Sequence, residues 1–102
     1  MGEELLGYQR ADLFRLAHHI NPVASVGKEG VTEALLAHVD RELDHHELIK
    51  IKFTDFKAVR RELVQELARK SGAVVVGVIG HIGILYRESR DPEKRHIRIP
   101  KR

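Results

Sequence analysis

Leu48 to Phe53 alternates strictly, with Ile49, Ile51 and Phe53 on one side and Lys50 and Lys52 on the other, and a stretch of helical period flanks it at each end. Successive strand side chains point to opposite faces, so this segment reads as a half-buried strand with a cationic open face. Before it, Thr32 to His46 carries Leu35, Leu36, Val39 and Leu43 on one helical stripe. After it, a helix runs from a cap at Thr54 or Asp55 to about Lys70, with Phe56, Val59, Leu63 and Leu67 as its buried stripe. A strand between two helices has no local partner to pair with. It commits the chain to a sheet with helices packed on it.

The remaining segments fill that sheet. Residues 8–20 repeat Leu13, Leu16, Ala17 and Ile20 at helical spacing, and Asn21-Pro22 stops the helix. Val23 to Val26 is a short strand. Ser71-Gly72 ends the third helix, and Ala73 to Ile79 is a continuous apolar run expected as a central strand. Gly80-His81 turns it into a last strand, Ile82 to Arg87, closing a hairpin. The order α-β-α-β-α-β-β predicts a single α/β domain with a four-stranded mixed sheet. We place that domain at 1–88 and a basic C-terminal tail at 89–102, where Ile97 and Ile99 around Arg98 could add a short edge strand.

Charge and composition narrow the function. Eighteen Lys+Arg face fifteen Asp+Glu, a net charge of +3. From Arg87 onward seven basic residues stand against three acidic, so the body before it is close to neutral. Electrostatic function must therefore come from where the charges sit. There is no Cys, which excludes disulfides, thiolate metal sites and a cysteine nucleophile. No run approaches the roughly 18 apolar residues of a membrane span, and MGEELLGYQR lacks the apolar core of a signal peptide. A cytoplasmic location without membrane association is expected.

Catalytic patterns are missing. There is no G-x-S-x-G, no Walker lysine, no dinucleotide fingerprint and no H-E-x-x-H. Adjacent residues on a helix diverge by about 100°, so the pairs His18-His19 and His45-His46 make poor tetrahedral ligand sets. Their place near helix C-termini suits dipole interaction instead. Asp40 and Asp44 share a face and read as solvated surface. No enzyme activity, cofactor, metal or small-molecule substrate is expected.

The informative feature is Gly27-Lys28-Glu29-Gly30, between the first strand and the second helix. It is either an ordinary strand-to-helix turn or a phosphate clamp, in which glycines allow close backbone approach and helix amides bind the anion. Lys28 adds a point charge, and Glu29 is tolerable if the middle side chains point outward. Around it we place Thr32, Lys50, Lys52, Lys57, Arg60 and Arg61, with Arg87 beside Tyr86 in the last strand. These basic residues are either a solvated face or a phosphate track whose binding falls steeply with salt. Few aromatics argue against stacked-base recognition and favour backbone and shape. The rival class is a protein-interaction module that pairs its sheet edge with a partner strand.

The strings Leu6 to Arg10, Leu16-Ala17-His18-His19, Pro22-Val23, Val26 to Glu33, His45 to Lys52, Val78 to His81, Leu85-Tyr86-Arg87 and Ile97 to Pro100 together resemble the YhbY-type CRM domain (chloroplast RNA splicing and ribosome maturation). The resemblance implies a fold similar to the C-terminal domain of translation initiation factor three. It implies RNA binding through the G-x-x-G loop, here Gly27 to Gly30, with help from basic residues. It also implies ribosomal RNA or precursors of the large ribosomal subunit as partner, as for the family's stand-alone members, whose length this chain matches. One departure stands at the start, where Leu5-Leu6-Gly7 replaces a motif in which threonine is common.

Overall fold

In the computed structural model, which describes residues 5, 7–55 and 57–97, the chain alternates helices with strands. Helix α1 (Gly7–Ala17) is followed by β1 (Pro22–Val26), α2 (Glu33–His46), β2 (Leu48–Phe53), α3 (Arg60–Ser71), β3 (Val74–Ile79) and β4 (Ile82–Tyr86). The four strands form one sheet in the order β1-β2-β4-β3. β1 runs parallel to β2, while β2 and β3 each pair antiparallel with β4. The expected α/β architecture and mixed sheet are both present.

The sheet lies between two helical layers. Ile49, Ile51 and Phe53 of β2 pack with Val39 and Leu43 of α2 and with Val64, Leu67 and Ala68 of α3. On the other face, Leu48, Val76, Ile84 and Tyr86 pack with Leu13 and Ala17 of α1. This overturns the open face expected for Lys50 and Lys52: α1 covers it, and Lys50 is half-buried beside Phe14, Ala17 and His18 while Lys52 remains exposed. An alternating strand announces which side chains share a face; it does not announce that the polar face is bare.

The same double covering corrects the place of β3. It is an edge strand, and the central pair is β2 and β4. Its run of valines is continuous because both faces are covered, Val75 and Val78 against the α2/α3 layer and Val74 and Val76 against α1. Each edge of the sheet is closed from a helix. Arg10 of α1 donates to the carbonyls of Val75 and Val76, and His38 Nε2 of α2 donates to the Val23 carbonyl at 2.8 Å.

Two helix ends differ from expectation. α1 stops at Ala17, and His18, His19 and Ile20 continue it as tighter turns bonded to Arg15, Leu16 and Ala17, which leaves Leu16 45% exposed. Lys57–Val59 is a 3-10 turn, so α3 begins at Arg60 with neither Thr54 nor Asp55 as its cap. That turn shifts the helical phase. The buried stripe is Leu63, Val64, Leu67 and Ala68, and Val59 is 42% exposed. Phe56, expected in the stripe, and Ile99, expected in an edge strand, lie outside the described residues; Ile97 is in no strand.

The segment from Ser89 to Ile97 is docked rather than trailing. Glu47, fully buried at the end of α2, accepts from the N–H groups of Ser89 (2.7 Å), His96 (2.8 Å) and Ile97 (3.0 Å). Arg90 bonds Asp40 and Asp44. A tail boundary at 88 is therefore not a boundary in packing.

Candidate nucleic-acid interface

Parallel β1 and β2 both end at Val26 and Phe53, which pair with each other, and antiparallel β4 begins there, since Lys52 pairs with Ile82. One end of the sheet thus collects the loop after β1, the chain leaving β2, and the hairpin turn between β3 and β4. Hydrogen bonds tie them together. Thr54 N–H donates to the Val26 carbonyl at 3.0 Å, Phe53 N–H donates to the His81 carbonyl at 2.7 Å, and the Arg60 guanidinium donates to the Gly80 carbonyl.

The loop itself is a tight turn closed by Gly30 N–H to the Gly27 carbonyl at 3.0 Å. Gly30 has φ 70°, a left-handed conformation that favours glycine. A Cβ at Gly27 would meet only Thr54 Oγ1, at 3.6 Å, so space alone would admit a side chain there. Lys28 and Glu29 are both exposed at the tip. Thr32 is the N-cap of α2, its hydroxyl oxygen accepting from Leu35 N–H at 3.1 Å. The expected role of Thr32 as an RNA ligand is therefore shared with a capping role. α3 starts at the same end with no side-chain cap, so two helix N-termini, the positive ends of their dipoles, face this side.

The expected cations do not form one strip. Lys50 and Lys52 project on the α1 face of the sheet, whereas Arg60 and Arg61 belong to α3, on the opposite face. Lys52 and Arg61 are exposed, Arg60 is half-buried, and Lys57 opens the 3-10 turn that leads into α3, with only its backbone described. These residues flank the loop end from two sides instead of tracking along one surface. Between α3 and the hairpin turn lies an open cleft of about 550 Å³ that includes Ala58, Arg60, Arg61 and Val78.

Arg87 is elsewhere. It follows β4 at the far end of the sheet, with its side chain 11% exposed. Its guanidinium bonds Asp40 Oδ1 at 2.7 Å, the Ser71 carbonyl at 2.6 Å and the Asp40 carbonyl at 2.9 Å. Asp44 also lies 3.0 Å from it. The acids read as solvated surface are thus its partners. The Arg87 hydrogen bond holds Asp40 below the usual carboxylate range, and Arg90 does the same for Asp44. Tyr86 is packed rather than available for stacking; burial, then the charges of Glu47 and Glu88, push its hydroxyl up to about 12. Arg87→Lys should cost about 2 kcal/mol in urea denaturation, since a forked, charge-assisted contact is lost, and should leave any RNA affinity unchanged.

The sequence pattern does not single out Arg10, His38 or Glu47 for these roles. The first two had no visible signal, because only tertiary placement brings them to strand edges. Glu47 had one: α2 passes into β2 through that single residue, which must turn sharply without a glycine.

A family model for the CRS1/YhbY (CRM) domain matches residues 5–87. The chain belongs to that family. A Haemophilus influenzae protein named RNA-binding protein is 40% identical over 95 residues, covering 92% of this chain and 93% of its own. The Bacillus subtilis protein YqeI, whose name calls it a probable RNA-binding protein, is 31% identical over 97 residues, covering 94% of this chain and 99% of its own. The solution structure of the hypothetical protein SAV1595 from Staphylococcus aureus superposes with a TM-score of 0.76 at 32% identity, over 93% of this chain and all of that one. Among the described residues no helix is long and apolar enough to cross a membrane.

Proposed function

We propose that this chain is a non-catalytic RNA-binding protein that grips the sugar-phosphate backbone at the loop end of its sheet and acts on ribosomal RNA in large-subunit assembly. The observation that carries the reading is the Gly27–Gly30 turn, its tip exposed at Lys28 and Glu29, set at the opening of α2 with Lys52, Arg60 and Arg61 around the same end. The two glycines let a backbone approach the turn closely, although Gly30 N–H is already used within it, and the helix dipoles favour the anion. The names of the Haemophilus and Bacillus relatives support RNA as the partner. The ribosomal target rests on the family resemblance. The rival reading, strand addition at a sheet edge, finds less support, because Arg10 and His38 already occupy carbonyls on β3 and β1.

The test is filter binding of a large-subunit ribosomal RNA fragment across a salt series. Affinity should fall linearly on a log–log scale. Lys52→Ala and Arg61→Ala should each reduce the slope by about 1, and Arg69→Ala, at the far end of α3, should leave it unchanged. A flat salt dependence, or equal effects of all three substitutions, defeats the assignment.

A further inference from the structure

The cleft between α3 and the hairpin turn carries chemistry that a phosphate site does not need. Besides Arg60 and Arg61 it is lined by Glu62 and Gln65, with Ala58 and Val78 as apolar walls. Glu62 and Gln65 are exposed, and among the described residues neither is held by a hydrogen bond or ion pair. Glu62 follows Arg61 directly, yet no described cation neutralises it. A carboxylate beside a phosphate path lowers affinity unless it receives donors from the ligand.

Resting on the RNA-binding reading, we propose that this cleft selects an unstacked guanine from the bound strand. Single-stranded bases are read on their Watson–Crick edges and stack on guanidinium planes. Among the four bases only guanine places two donors, N1–H and the 2-amino group, side by side for a carboxylate to accept together. Its neighbouring O6 accepts from the Gln65 carboxamide. Arg61 covers one face of the ring, and Ala58 and Val78 shield its edge from water. Adenine and cytosine each set a ring-nitrogen acceptor against Glu62, and uracil offers one donor between two oxygens.

The location allows both sites to act on one strand. The loop after β1 and the turn after β3 are three inter-strand gaps apart, about 14 Å at the usual sheet spacing. The Arg60 guanidinium is fixed on the Gly80 carbonyl between α3 and the hairpin, so the cleft walls are held together before RNA arrives.

The experiment is fluorescence anisotropy with the full chain and a hairpin RNA whose uridine loop carries one guanosine, against the same RNA with inosine or adenosine there. Guanosine should bind about tenfold more tightly than adenosine, a bidentate contact's worth of discrimination, with inosine between them. Glu62→Gln should abolish the preference, weakening the guanosine RNA relative to the adenosine RNA, which gains a little once the carboxylate it cannot satisfy is gone. Equal binding of all three RNAs by the unmodified chain overturns the guanine pocket and leaves backbone binding intact. So does a Glu62→Gln variant that strengthens all three alike, which would make Glu62 a repelling surface charge. No binding to any of them at low salt overturns the RNA-binding reading itself.

Discussion

Glu47→Ala is expected to cost about 3 kcal/mol or more, because one buried carboxylate holds three backbone donors at once, one of them fully buried. The carboxylate accepts from the N–H groups of Ser89, His96 and Ile97; the Ser89 bond is buried and the other two are partly buried. The residue's own backbone also joins elements: its N–H donates to the Leu43 carbonyl at 2.8 Å, and its carbonyl accepts from Arg87 N–H at 2.9 Å. At about 4–8 °C per kcal/mol for a domain of this size, the melting temperature should drop by more than about 10 °C. Glu47 also sits at φ 65°, where L side chains are strained. Glu47→Gly relieves that strain and removes the same carboxylate, so it should be more stable than Glu47→Ala by about 1 kcal/mol and still less stable than the parent. Urea denaturation of the three proteins decides the matter. A glycine variant as stable as the parent would show that the carboxylate contributes no more than the roughly 1 kcal/mol that relief of strain returns.

The same residue predicts the acid limb of stability. Burial alone would raise the Glu47 carboxyl, but the N–H groups of His96, Ser89 and Ile97, with the charge of His96, outweigh it and hold the group below its ordinary value. Asp40 and Asp44 are held low by Arg87 and Arg90. A carboxyl whose folded value lies below its unfolded one contributes stability above the unfolded value, near pH 4, and loses it as pH falls through the folded value. The urea midpoint should therefore stay level from neutral pH to about 5 and then decline. Glu47→Gln should make that decline shallower, because one proton fewer is taken up on unfolding.

How much of this was legible depends on the range of the interaction. β2 is found at the residues its alternation marks, Leu48–Phe53, because that signal is local. Gly72 ends α3 in the left-handed conformation for the same reason. Apart from the shifted ends of α1 and α3, the failures are tertiary. Nothing in Ala73 to Ile79 distinguishes an edge strand covered on both faces from a central one. Nothing around Lys50 reports that α1 will lie over it. The separation of Lys52 from Arg61 by the thickness of the sheet follows from α1 and α3 packing on opposite faces, which periodicity cannot supply. Arg87, an arginine after an aromatic, looks free in one dimension; Asp40, 47 positions away, is what holds it.

Replacing Gly27 and Gly30 together by Asp should lower RNA affinity by about a hundredfold or more, since two carboxylates would face phosphates where bare backbone stood. The fold should survive. Gly27 has room for a Cβ, with only Thr54 Oγ1 within reach at 3.6 Å. Gly30, at φ 70°, should cost about 1–2 kcal/mol, and Asp tolerates that region better than most residues. Charge reversal alone would not separate contact at the loop from long-range attraction to the surrounding cations. Gly27→Ala separates them, because it adds a methyl group and no charge at a position where the fold has space. Should RNA pass directly over the main chain, that methyl group will cost about tenfold in affinity and leave the salt slope unchanged, whereas Lys28→Ala will lower the slope by about 1. A silent Gly27→Ala would place the strand off the turn and reduce the loop to a carrier for Lys28.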